Sequence, residues 1–297
     1  MGPVVHLIDG HIYVFRAYHA LPSMSSPSGV PTHAAYGFAN TLVKFLSNPE
    51  VTHVAICFDA AMTSFRNEIE PSYKATRGET PEDLEPQFEL CKRLALGLGL
   101  RVFEAEGFEA DDLIATLAGR LVGWGAQVVV VSSDKDLAQL VREDGRVVLH
   151  DLAKHTTLDA DGVRAKFGVD PAQIPDYLGL VGDAIDNLAG VPGVGPKSAA
   201  AVLKAFGEIE RVPEDPAGWQ GVRVRGASHL AGRIAEHRER ALRTKSLARL
   251  RRDAPAEVAG VAELATAAIQ SDALGSLFAE LGWKGIGERV RRLDGPS

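Results

Sequence analysis

Apolar residues in the first half of the chain follow two alternating patterns. Residues 4–9, 53–59 and 127–132 contain apolar runs of strand length, and a shorter run lies at 101–104. Between these runs, apolar residues recur at helical spacing, most clearly over residues 109–124. The alternation predicts an α/β fold with a mainly parallel sheet flanked by helices, because parallel strands need crossover connections.

Further helices are predicted from local signals. Thr80-Pro81-Glu82-Asp83 offers an N-cap residue, a proline at the first helical position and acidic residues in the first turn, so a helix is expected from there to residue 98. Shorter elements are expected at 32–46 and 137–141 (helices) and at 147–149 (strand). After Pro171 the pattern changes to helices joined by glycine turns.

Acidic residues collect at the ends of these apolar segments. They are Asp9, Asp59, Glu109, Asp111, Asp112, Asp134, Asp136, Asp183 and Asp186. A parallel sheet gathers the carboxyl ends of its strands at one edge, where ligands bind. Crowded carboxylates repel one another, which divalent cations would relieve. Taken singly, acidic residues that begin helices are also ordinary caps, so a structural role stays open for each.

The charge distribution changes the meaning of the net charge. A value of −7 argues against a nucleic-acid partner, yet the chain without those nine carboxylates is net positive. Residues 223–252 form a basic run whose only acidic residues are Glu236 and Glu239. Its positive residues are Arg223, Arg225, Arg233, Arg238, Arg240, Arg243, Lys245, Arg249, Arg251 and Arg252. The run is equally compatible with a solvated helix face and with a phosphate-binding surface.

Two further stretches suit nucleic acid. In residues 60–77, Arg66, Lys74 and Arg77 alternate with Phe65 and Tyr73, which supplies charge for phosphates and rings for bases. A mobile surface loop is the simpler interpretation of this polar segment. If the segment does contact a strand, we expect it to become ordered only when that strand is bound.

The second stretch is the glycine turn, Gly193-Val194-Gly195-Pro196-Lys197, which opens a helix. Glycines let backbone N–H groups approach a phosphate, and the helix N-terminus and Lys197 add positive potential. A plain turn between helices is the alternative interpretation.

Composition excludes several classes of protein. Cys57 and Cys91 are the only cysteines and form no paired motif, which argues against a disulfide scaffold or a zinc site. The first residues lack the pattern of a signal peptide, and no stretch approaches the ~20 apolar residues of a membrane span. A cytoplasmic protein without membrane association is therefore expected.

An ordered set of motifs resembles the 5′-nuclease (flap endonuclease) family, most of all the 5′→3′ exonuclease domains of bacterial DNA polymerase I in a stand-alone form. The motifs are Asp9-Gly10, Phe58-Asp59, Ser64-Phe65-Arg66, Tyr73-Lys74-Ala75, Glu109-Ala110-Asp111-Asp112, Asp134-Lys135-Asp136, Gly182-Asp183 with Asp186-Asn187, and Gly193-Val194-Gly195-Pro196-Lys197. Each motif is weak alone, and their shared order gives the specificity.

The resemblance implies a PIN-like fold in two parts. Residues 1–168 would be a metal-dependent nuclease domain with a helical arch at about 60–85. Residues 169–297 would be a helical DNA-binding region with a helix-hairpin-helix motif at about 188–206. The implied activity is structure-specific 5′→3′ exonuclease and 5′-flap endonuclease cleavage of DNA in replication and repair, at 5′ ends, flaps or nicks, by a monomer without a small-molecule cofactor.

The resemblance also implies roles for individual residues. Two Mg²⁺ or Mn²⁺ ions ~4 Å apart would be held, the first by Asp9, Asp59, Glu109 and Asp111, and the second by Asp112, Asp134, Asp136, Asp183 and Asp186, with Asp134 near both. Lys74 and Arg66 would steady the scissile phosphate as catalytic residues. Phe15 would stack on the terminal base, and Arg16, Tyr73, Arg77, Gly193, Gly195 and Lys197 would bind DNA. A K⁺ ion is expected at the glycine turn.

Two alternatives remain open. A PIN-type ribonuclease shares the acidic α/β site, although the glycine turn argues against it. A catalytically silent DNA-binding module is the other, although all nine carboxylates are present.

Overall fold

The computed structural model describes residues 2–220, 222, 224 and 226–293. Its strands are β1 (Val4–Asp9), β2 (His53–Cys57), β3 (Arg101–Phe103), β4 (Gln127–Val131), β5 (Val147–Asp151), β6 (Thr156–Leu158), β7 (Gly182–Asp183) and β8 (Leu188–Ala189). Its helices are α1 (Gly10–Ala20), α2 (His33–Leu46), α3 (Phe65–Ile69), α4 (Glu85–Gly97), α5 (Ala110–Gly123), α6 (Ala160–Phe167), α7 (Ile174–Val181), α8 (Pro196–Phe206), α9 (Ala227–Glu236), α10 (Arg238–Ala248), α11 (Ser271–Glu280) and α12 (Lys284–Leu293).

The chain forms two compact units. Unit 1 comprises the described parts of Met1–Met62, Glu79–Ser133 and Arg252–Ser297, and unit 2 those of Thr63–Gly78 and Asp134–Arg251. Arg223 and Arg225 of the basic run lie outside the described residues. Among the described residues, every helix is too short or too polar to cross a lipid bilayer.

Unit 1 contains a parallel sheet with the strand order β3-β2-β1-β4. The apolar runs predicted to be strands are buried because helices cover the sheet; Leu7 and Val54, for example, are fully inaccessible. Asp9 pairs with Cys57, and Ile8 pairs with Val131. The carboxyl ends of β2, β1 and β4 therefore lie side by side. The predicted α/β class with a mainly parallel sheet is confirmed.

Unit 2 is mostly helical. The β5 and β6 strands pair antiparallel, and so do β7 and β8. Helix α7 packs against α10 and α8. A buried ion pair joins α7 to α10, with Lys245 Nζ 2.7 Å from Asp176 Oδ1. Lys245 Nζ also lies 2.6 Å from Glu210 Oε2.

Two predicted helices have different bounds in the structure. The helix expected from residue 80 begins at Glu85, because Pro86 lacks the N–H that a helix started earlier would need and fits only a first turn. The helix expected at 137–141 is a 3₁₀ turn over Asp136–Leu140. Its start is fixed locally, since the Asp136 N–H donates to Asp134 Oδ1 at 2.8 Å.

The arch segment, residues 60–85, differs from the expected polar surface loop. It contains α3, which Ser64 caps, followed by turns. Arg66 and Tyr73 are buried, at 1% and 4% exposure. The cause is a set of partners in unit 2 that lie far away in the sequence, described below.

Candidate metal and nucleic-acid binding sites

The carboxylates of unit 1 lie at the ends of β1 and β2 and at the start of α5. Asp9 is buried; its Oδ1 accepts from the Ile12 N–H (3.3 Å) and its Oδ2 from Ser132 Oγ (2.9 Å). Asp59 Oδ1 accepts from the Ala110 N–H at 2.6 Å. These bonds show that Asp9 does cap α1, so the structural role left open by the sequence is real.

Glu109 and Asp112 form a capping box at the start of α5. The Glu109 N–H donates to Asp112 Oδ2 at 3.2 Å, and both residues are buried. Asp111, between them in the first turn, is half-buried. A capping carboxylate still has lone pairs for a cation, so capping and metal binding are compatible.

The buried thiol of Cys57 lies near three of these carboxylates. Burial raises the pKa of Cys57 well above its ordinary value, and the negative charges of Asp9, Asp111 and Asp59 raise it further. Three of the four residues predicted for the first metal site, Asp9, Asp59 and Asp111, therefore lie near this thiol in unit 1. Their assignment as metal ligands stays a prediction.

In unit 2 the structure brings three predicted ligands together. Among the described residues, Asp136, Asp183 and Asp186 are the one group that offers at least three ligand atoms of histidine, cysteine or carboxylate within 4.8 Å of one another. We call these residues the aspartate cluster. Asp183 and Asp186 reach it from β7 and the turn before β8, not from one helix face. Gly182, with φ +83°, starts this hairpin where an added Cβ would lie 2.5 Å from the Gly190 nitrogen.

Burial and mutual repulsion disfavour the ionised form of the carboxyl groups at the aspartate cluster. Burial, followed by the charge of Asp134, holds the pKa of Asp136 well above its usual range, with Asp183 and Asp186 adding to the effect and Lys135 opposing it. Burial also raises the pKa of Asp134, together with the charge of Asp186 and against a hydrogen bond from the Asp136 N–H. A bound cation would remove this repulsion.

The donor set of the aspartate cluster fits a hard divalent cation. Carboxylate oxygens are the ligands that Mg²⁺ and Mn²⁺ prefer. Asp136 Oδ1 is buried and, among the described residues, accepts no hydrogen bond; Lys135 Nζ lies 4.0 Å from it. A buried carboxylate oxygen that accepts no hydrogen bond is suited to binding a metal ion.

Side chains with donors already contact the other two aspartates. Lys135 Nζ lies 2.5 Å from Asp183 Oδ2. Arg77 Nη2 lies 2.5 Å from Asp186 Oδ1, and the Tyr73 hydroxyl donates to Asp186 Oδ2 at 3.1 Å. Tyr73 and Arg77, predicted to bind DNA, are thus anchored beside the predicted metal ligands.

Lys74 lies beside the same carboxylates in an unusual backbone conformation. Its φ is +58°, a region that long side chains rarely adopt, and its N–H donates to the Asp186 carbonyl at 2.9 Å. Its charge acts on Asp134, whose pKa it lowers against the larger effect of burial. The ammonium also lies 5.0 Å from the Tyr73 ring centroid.

Arg66 is placed differently from the phosphate-contacting side chain that the resemblance implies. Its Nε donates to the Leu247 carbonyl at 2.7 Å, and its Nη2 to the Arg249 carbonyl at 3.4 Å. These carbonyls lie at the end of α10, where backbone acceptors lack helical partners. In this structure Arg66 therefore stabilises the end of α10, and its catalytic role stays a prediction.

The glycine turn leads into α8 as expected. Gly193 has φ +72°, so glycine is needed for this conformation; the nearest atom to an added Cβ would be the end of the exposed, movable Arg233 side chain. Gly195 is the N-cap residue and Pro196 follows within the first turn. Lys197 is exposed on that turn.

Phe15 and Arg16 follow one another on α1, with Phe15 half-buried and Arg16 exposed. Three other polar residues with contacts to predicted ligands were missed from the sequence: Ser132 on Asp9, Lys135 on Asp183, and His11, whose Nδ1 accepts from the Asp59 N–H at 3.1 Å. Lys135 had a usable signal, because a lysine between two predicted aspartate ligands is placed to neutralise them.

Comparison with protein families agrees with this arrangement. The family model described as 5′-3′ exonuclease, N-terminal resolvase-like domain, matches residues 4–168, and the one described as 5′-3′ exonuclease, C-terminal SAM fold, matches residues 169–272. DNA polymerase I of Bacillus caldotenax is 38% identical over 289 residues, 96% of this chain and 32% of that protein. DNA polymerase I of Pseudomonas aeruginosa is 38% identical over 291 residues, 95% of this chain and 31% of that protein. The chain thus spans about a third of the length of these relatives.

Solved structures share the fold at low sequence identity. The T5 5′-exonuclease with bound zinc has a TM-score of 0.65 at 20% identity and covers 98% of both chains. The catalytic core of Rad2 in complex with DNA also has a TM-score of 0.65, at 16% identity over 98% of this chain and 91% of that one. The predicted PIN-like fold is confirmed by these matches.

Proposed function

The chain belongs to the 5′-3′ exonuclease family, and we propose that it is a metal-dependent nuclease that hydrolyses DNA phosphodiesters at or near 5′ ends, including 5′ flaps and nicks. The observation that carries the proposal is the aspartate cluster, three buried carboxylates with oxygens within 4.8 Å of one another. Such a cluster is costly to keep in a fold unless cations neutralise it.

Two divalent ions, Mg²⁺ or Mn²⁺, are proposed. Asp136, Asp183 and Asp186 would hold one of them with Asp134 and Asp112, and Asp9, Asp59, Glu109 and Asp111 would hold the other. Bound ions of this kind activate water and stabilise the leaving oxygen in phosphodiester hydrolysis. Lys135 and Arg77, which pair with the aspartates in this structure, would then become available to phosphate oxygens.

Lys74 is proposed to stabilise negative charge on the phosphate being cleaved. A positive φ on a long side chain is maintained only where surrounding contacts hold it, and such strain is concentrated at functional sites. Here the bond from the Lys74 N–H to the Asp186 carbonyl holds the Lys74 main chain beside the aspartate cluster, and the charge of Lys74 acts on Asp134. Positioned cations act on charge that develops in the transition state.

We propose that the remaining predicted roles are divided along the chain. Residues 1–168 would carry out the chemistry together with Asp183 and Asp186. The rest of residues 169–297 would hold duplex DNA through Gly193, Gly195 and Lys197, with K⁺ at the glycine turn. The protein would act as a monomer in the cytoplasm. The T5 5′-exonuclease with bound zinc and the Rad2 core in complex with DNA support a metal ion and DNA as the partners.

The proposal is tested with three labelled substrates: a 5′-flap DNA, the matched RNA and a circular single-stranded DNA without a 5′ end. We expect Mg²⁺-dependent release of short products from the flap DNA alone. Cleavage of the RNA in preference to DNA would identify a PIN-type ribonuclease. Binding without cleavage in Mg²⁺ and Mn²⁺ would identify a silent DNA-binding module.

A further inference from the structure

The end of helix α10 contacts three segments of unit 2 that carry or flank the predicted metal ligands. They are residues 63–78 of the arch segment, the 3₁₀ turn over Asp136–Leu140, and the β7–β8 hairpin of Asp183 and Asp186. Each segment is bound to the same few residues. We call residues 244–250, the C-terminal part of α10 and the two residues that follow it, the α10 anchor.

Gln139 ties the 3₁₀ turn to the α10 anchor with its whole amide group. Its Nε2 donates to the Asp136 carbonyl at 2.9 Å and to the Ala248 carbonyl at 3.0 Å. Its Oε1 accepts from the Leu250 N–H at 3.0 Å, and the side chain is buried. A glutamine suits this place because its uncharged amide offers two donors and an acceptor at once. The Ala248 carbonyl is among the last of its helix, where carbonyls lack helical partners.

Thr244 ties the hairpin to the same anchor. Its buried hydroxyl donates to the Ala189 carbonyl at 2.8 Å. Ala189 pairs with Gly182, the residue before Asp183. The hairpin depends on such support because its strands have two residues each, and a short isolated hairpin is at best marginally stable.

The arch segment reaches the α10 anchor through Arg66 and Tyr73. Arg66 donates to the Leu247 and Arg249 carbonyls. Tyr73 packs with Leu247 and with Leu188 of the hairpin in a buried apolar cluster. The α10 anchor is therefore the one place where all three bonds and this packing meet, as far as the described residues of unit 2 show.

The aspartate cluster needs support that does not depend on a metal ion. Its carboxylate oxygens lie within 4.8 Å of one another, so the segments that carry them repel. Asp136 Oδ1 accepts no hydrogen bond from the described residues, so the main chain of the 3₁₀ turn has a large part in placing it. Gln139 and Thr244 both hold main-chain groups of the ligand-bearing segments.

We propose that Gln139 and Thr244 are positioning residues for the metal ion of the aspartate cluster. Gln139 holds the turn of Asp136, Thr244 holds the hairpin of Asp183 and Asp186, and both fix their segment to the α10 anchor. The inference rests on the proposed function and extends it to residues outside the carboxylate set. A site whose ligands are already assembled binds its ion without the cost of ordering them.

The competing explanation is that these bonds only stabilise the fold of unit 2. A second glutamine of the same unit separates the two explanations. Gln173 Nε2 donates to the Leu203 and Gly207 carbonyls at 3.2 and 2.8 Å, and its Oε1 accepts from the Asp170 N–H at 3.0 Å. It thus makes the same three kinds of bond, here to the end of α8, and none of these partners is a predicted metal ligand.

The experiment is a calorimetric titration of the full chain with Mn²⁺, at a temperature where circular dichroism shows each variant to be folded. Asp136→Asn identifies the binding step that belongs to the aspartate cluster. Gln139→Met keeps the length of the side chain and removes its hydrogen bonds, so Mn²⁺ affinity at this step should fall by about 10–100-fold, the range for groups that hold metal ligands in place. Gln173→Met should lower the melting temperature in EDTA to a similar extent and leave Mn²⁺ affinity at the wild-type value.

Thr244 allows a test with a smaller change in the fold. Thr244→Val keeps the shape of the side chain and loses the hydroxyl, so Mn²⁺ affinity should fall about tenfold. Thr244→Ser keeps the donor and should restore wild-type affinity. Thr41→Val removes a hydroxyl-to-carbonyl bond of 3.0 Å within α2 and, as the matched control, should leave Mn²⁺ affinity unchanged.

A double variant shows whether Gln139 acts through Asp136. Because Asp136→Asn removes the ligand itself, adding Gln139→Met should reduce the remaining Mn²⁺ affinity little further. Two independent effects would multiply, and that result would contradict a positioning role.

Wild-type Mn²⁺ affinity in Gln139→Met and Thr244→Val, or equal losses in Gln139→Met and Gln173→Met, would overturn the inference. If Gln139→Met does not fold, the two Thr244 variants decide. Cleavage of 5′-flap DNA in Mg²⁺ by the wild-type protein is scored separately. Cleavage without an effect of the anchor variants on Mn²⁺ affinity would remove the inference and keep the proposed function. Loss of Mn²⁺ affinity in these variants of a protein that does not cleave would keep the positioning role and remove the nuclease.

Discussion

Lys135 Nζ lies 2.5 Å from Asp183 Oδ2, so the protein itself supplies a positive charge to the aspartate cluster. Burial acts to lower the pKa of Lys135, but the hydrogen bond to Asp183 and the charges of Asp136 and Asp183 outweigh it and raise that pKa. The lysine therefore stays charged. Arg77 Nη2, 2.5 Å from Asp186 Oδ1, supplies a second positive charge. Two cations do not balance three clustered carboxylates, and the predictions for metal binding follow from this imbalance.

Asp136→Asn is expected to stabilise the protein in EDTA. Because burial and neighbouring charge raise the folded-state pKa of Asp136, its ionisation destabilises the fold as pH rises above the ordinary carboxyl range. At neutral pH the variant should melt about 2–4 °C higher, the shift that ~1 kcal/mol produces in a domain of 150–250 residues. The gain should shrink as pH falls through the range where Asp136 is protonated.

The same variant should lose most of the stabilisation that Mn²⁺ gives the wild-type protein, because a ligand that binds only the folded state stabilises it. Calorimetric melts with and without Mn²⁺ measure both effects. Asp161→Asn is the control, since that side chain is 88% exposed on α6. Equal Mn²⁺ stabilisation of wild type and Asp136→Asn would show that the cluster does not bind the ion.

Lys74→Ala should slow single-turnover cleavage by about 10²–10³, the range for a positioned group that stabilises transition-state charge. Flap-DNA affinity in Ca²⁺ should change little, because the contact is made mainly in the transition state. Lys154→Ala, at a 73% exposed lysine of the same unit, is the control and should cleave normally. A rate within threefold of wild type would remove Lys74 from the catalytic site.

Lys197→Ala should weaken duplex binding evenly across sequences and reduce the salt dependence of log K by about one unit, as for one lost phosphate contact. Titrations at several salt concentrations provide the measurement. Lys204→Ala removes an exposed lysine from the other end of α8 and should keep the wild-type slope. A slope that falls equally in both variants would point to a general charge effect in place of a contact at the glycine turn.

Lys245→Met should destabilise the fold by about 3–5 kcal/mol, because it leaves Asp176 buried without its partner. Urea denaturation of this variant, of Asp176→Asn and of the double variant gives the coupling between the two residues. Lys166→Met, at an exposed position on α6, should change stability little. A loss below ~1 kcal/mol in Lys245→Met would mean that water compensates the aspartate, against the ion pair seen here.

The strand framework could be predicted because its signal is local. Runs such as residues 127–131 are apolar and β-branched, and polar residues bound them. Their order along the chain then places Asp9 and Asp59 on neighbouring strand ends. The grouping of Asp136, Asp183 and Asp186 was expected from their positions at the ends of apolar segments and from the family resemblance.

The features that the sequence did not predict arise from contacts between residues far apart in the chain. Arg66 is buried because its partner, the Leu247 carbonyl, lies 181 residues away. Asp183 and Asp186 meet Asp136 through a hairpin whose strands have two residues each, too short for a periodic signal. His11 contacts the main chain of Asp59, a contact that no side-chain pattern encodes.

The most direct test of the central claim compares wild type and Asp134→Ala on one labelled 5′-flap DNA. Cleavage is measured in Mn²⁺ and binding in Ca²⁺. Asp134 lies at the aspartate cluster, where its Oδ1 accepts from the Asp136 N–H at 2.8 Å. Other residues are expected to make most of the DNA phosphate contacts, so losing Asp134 should spare binding. We predict that wild type cleaves, and that Asp134→Ala binds with nearly wild-type affinity and does not cleave. Near wild-type cleavage by Asp134→Ala would contradict a metal-dependent site built on these carboxylates.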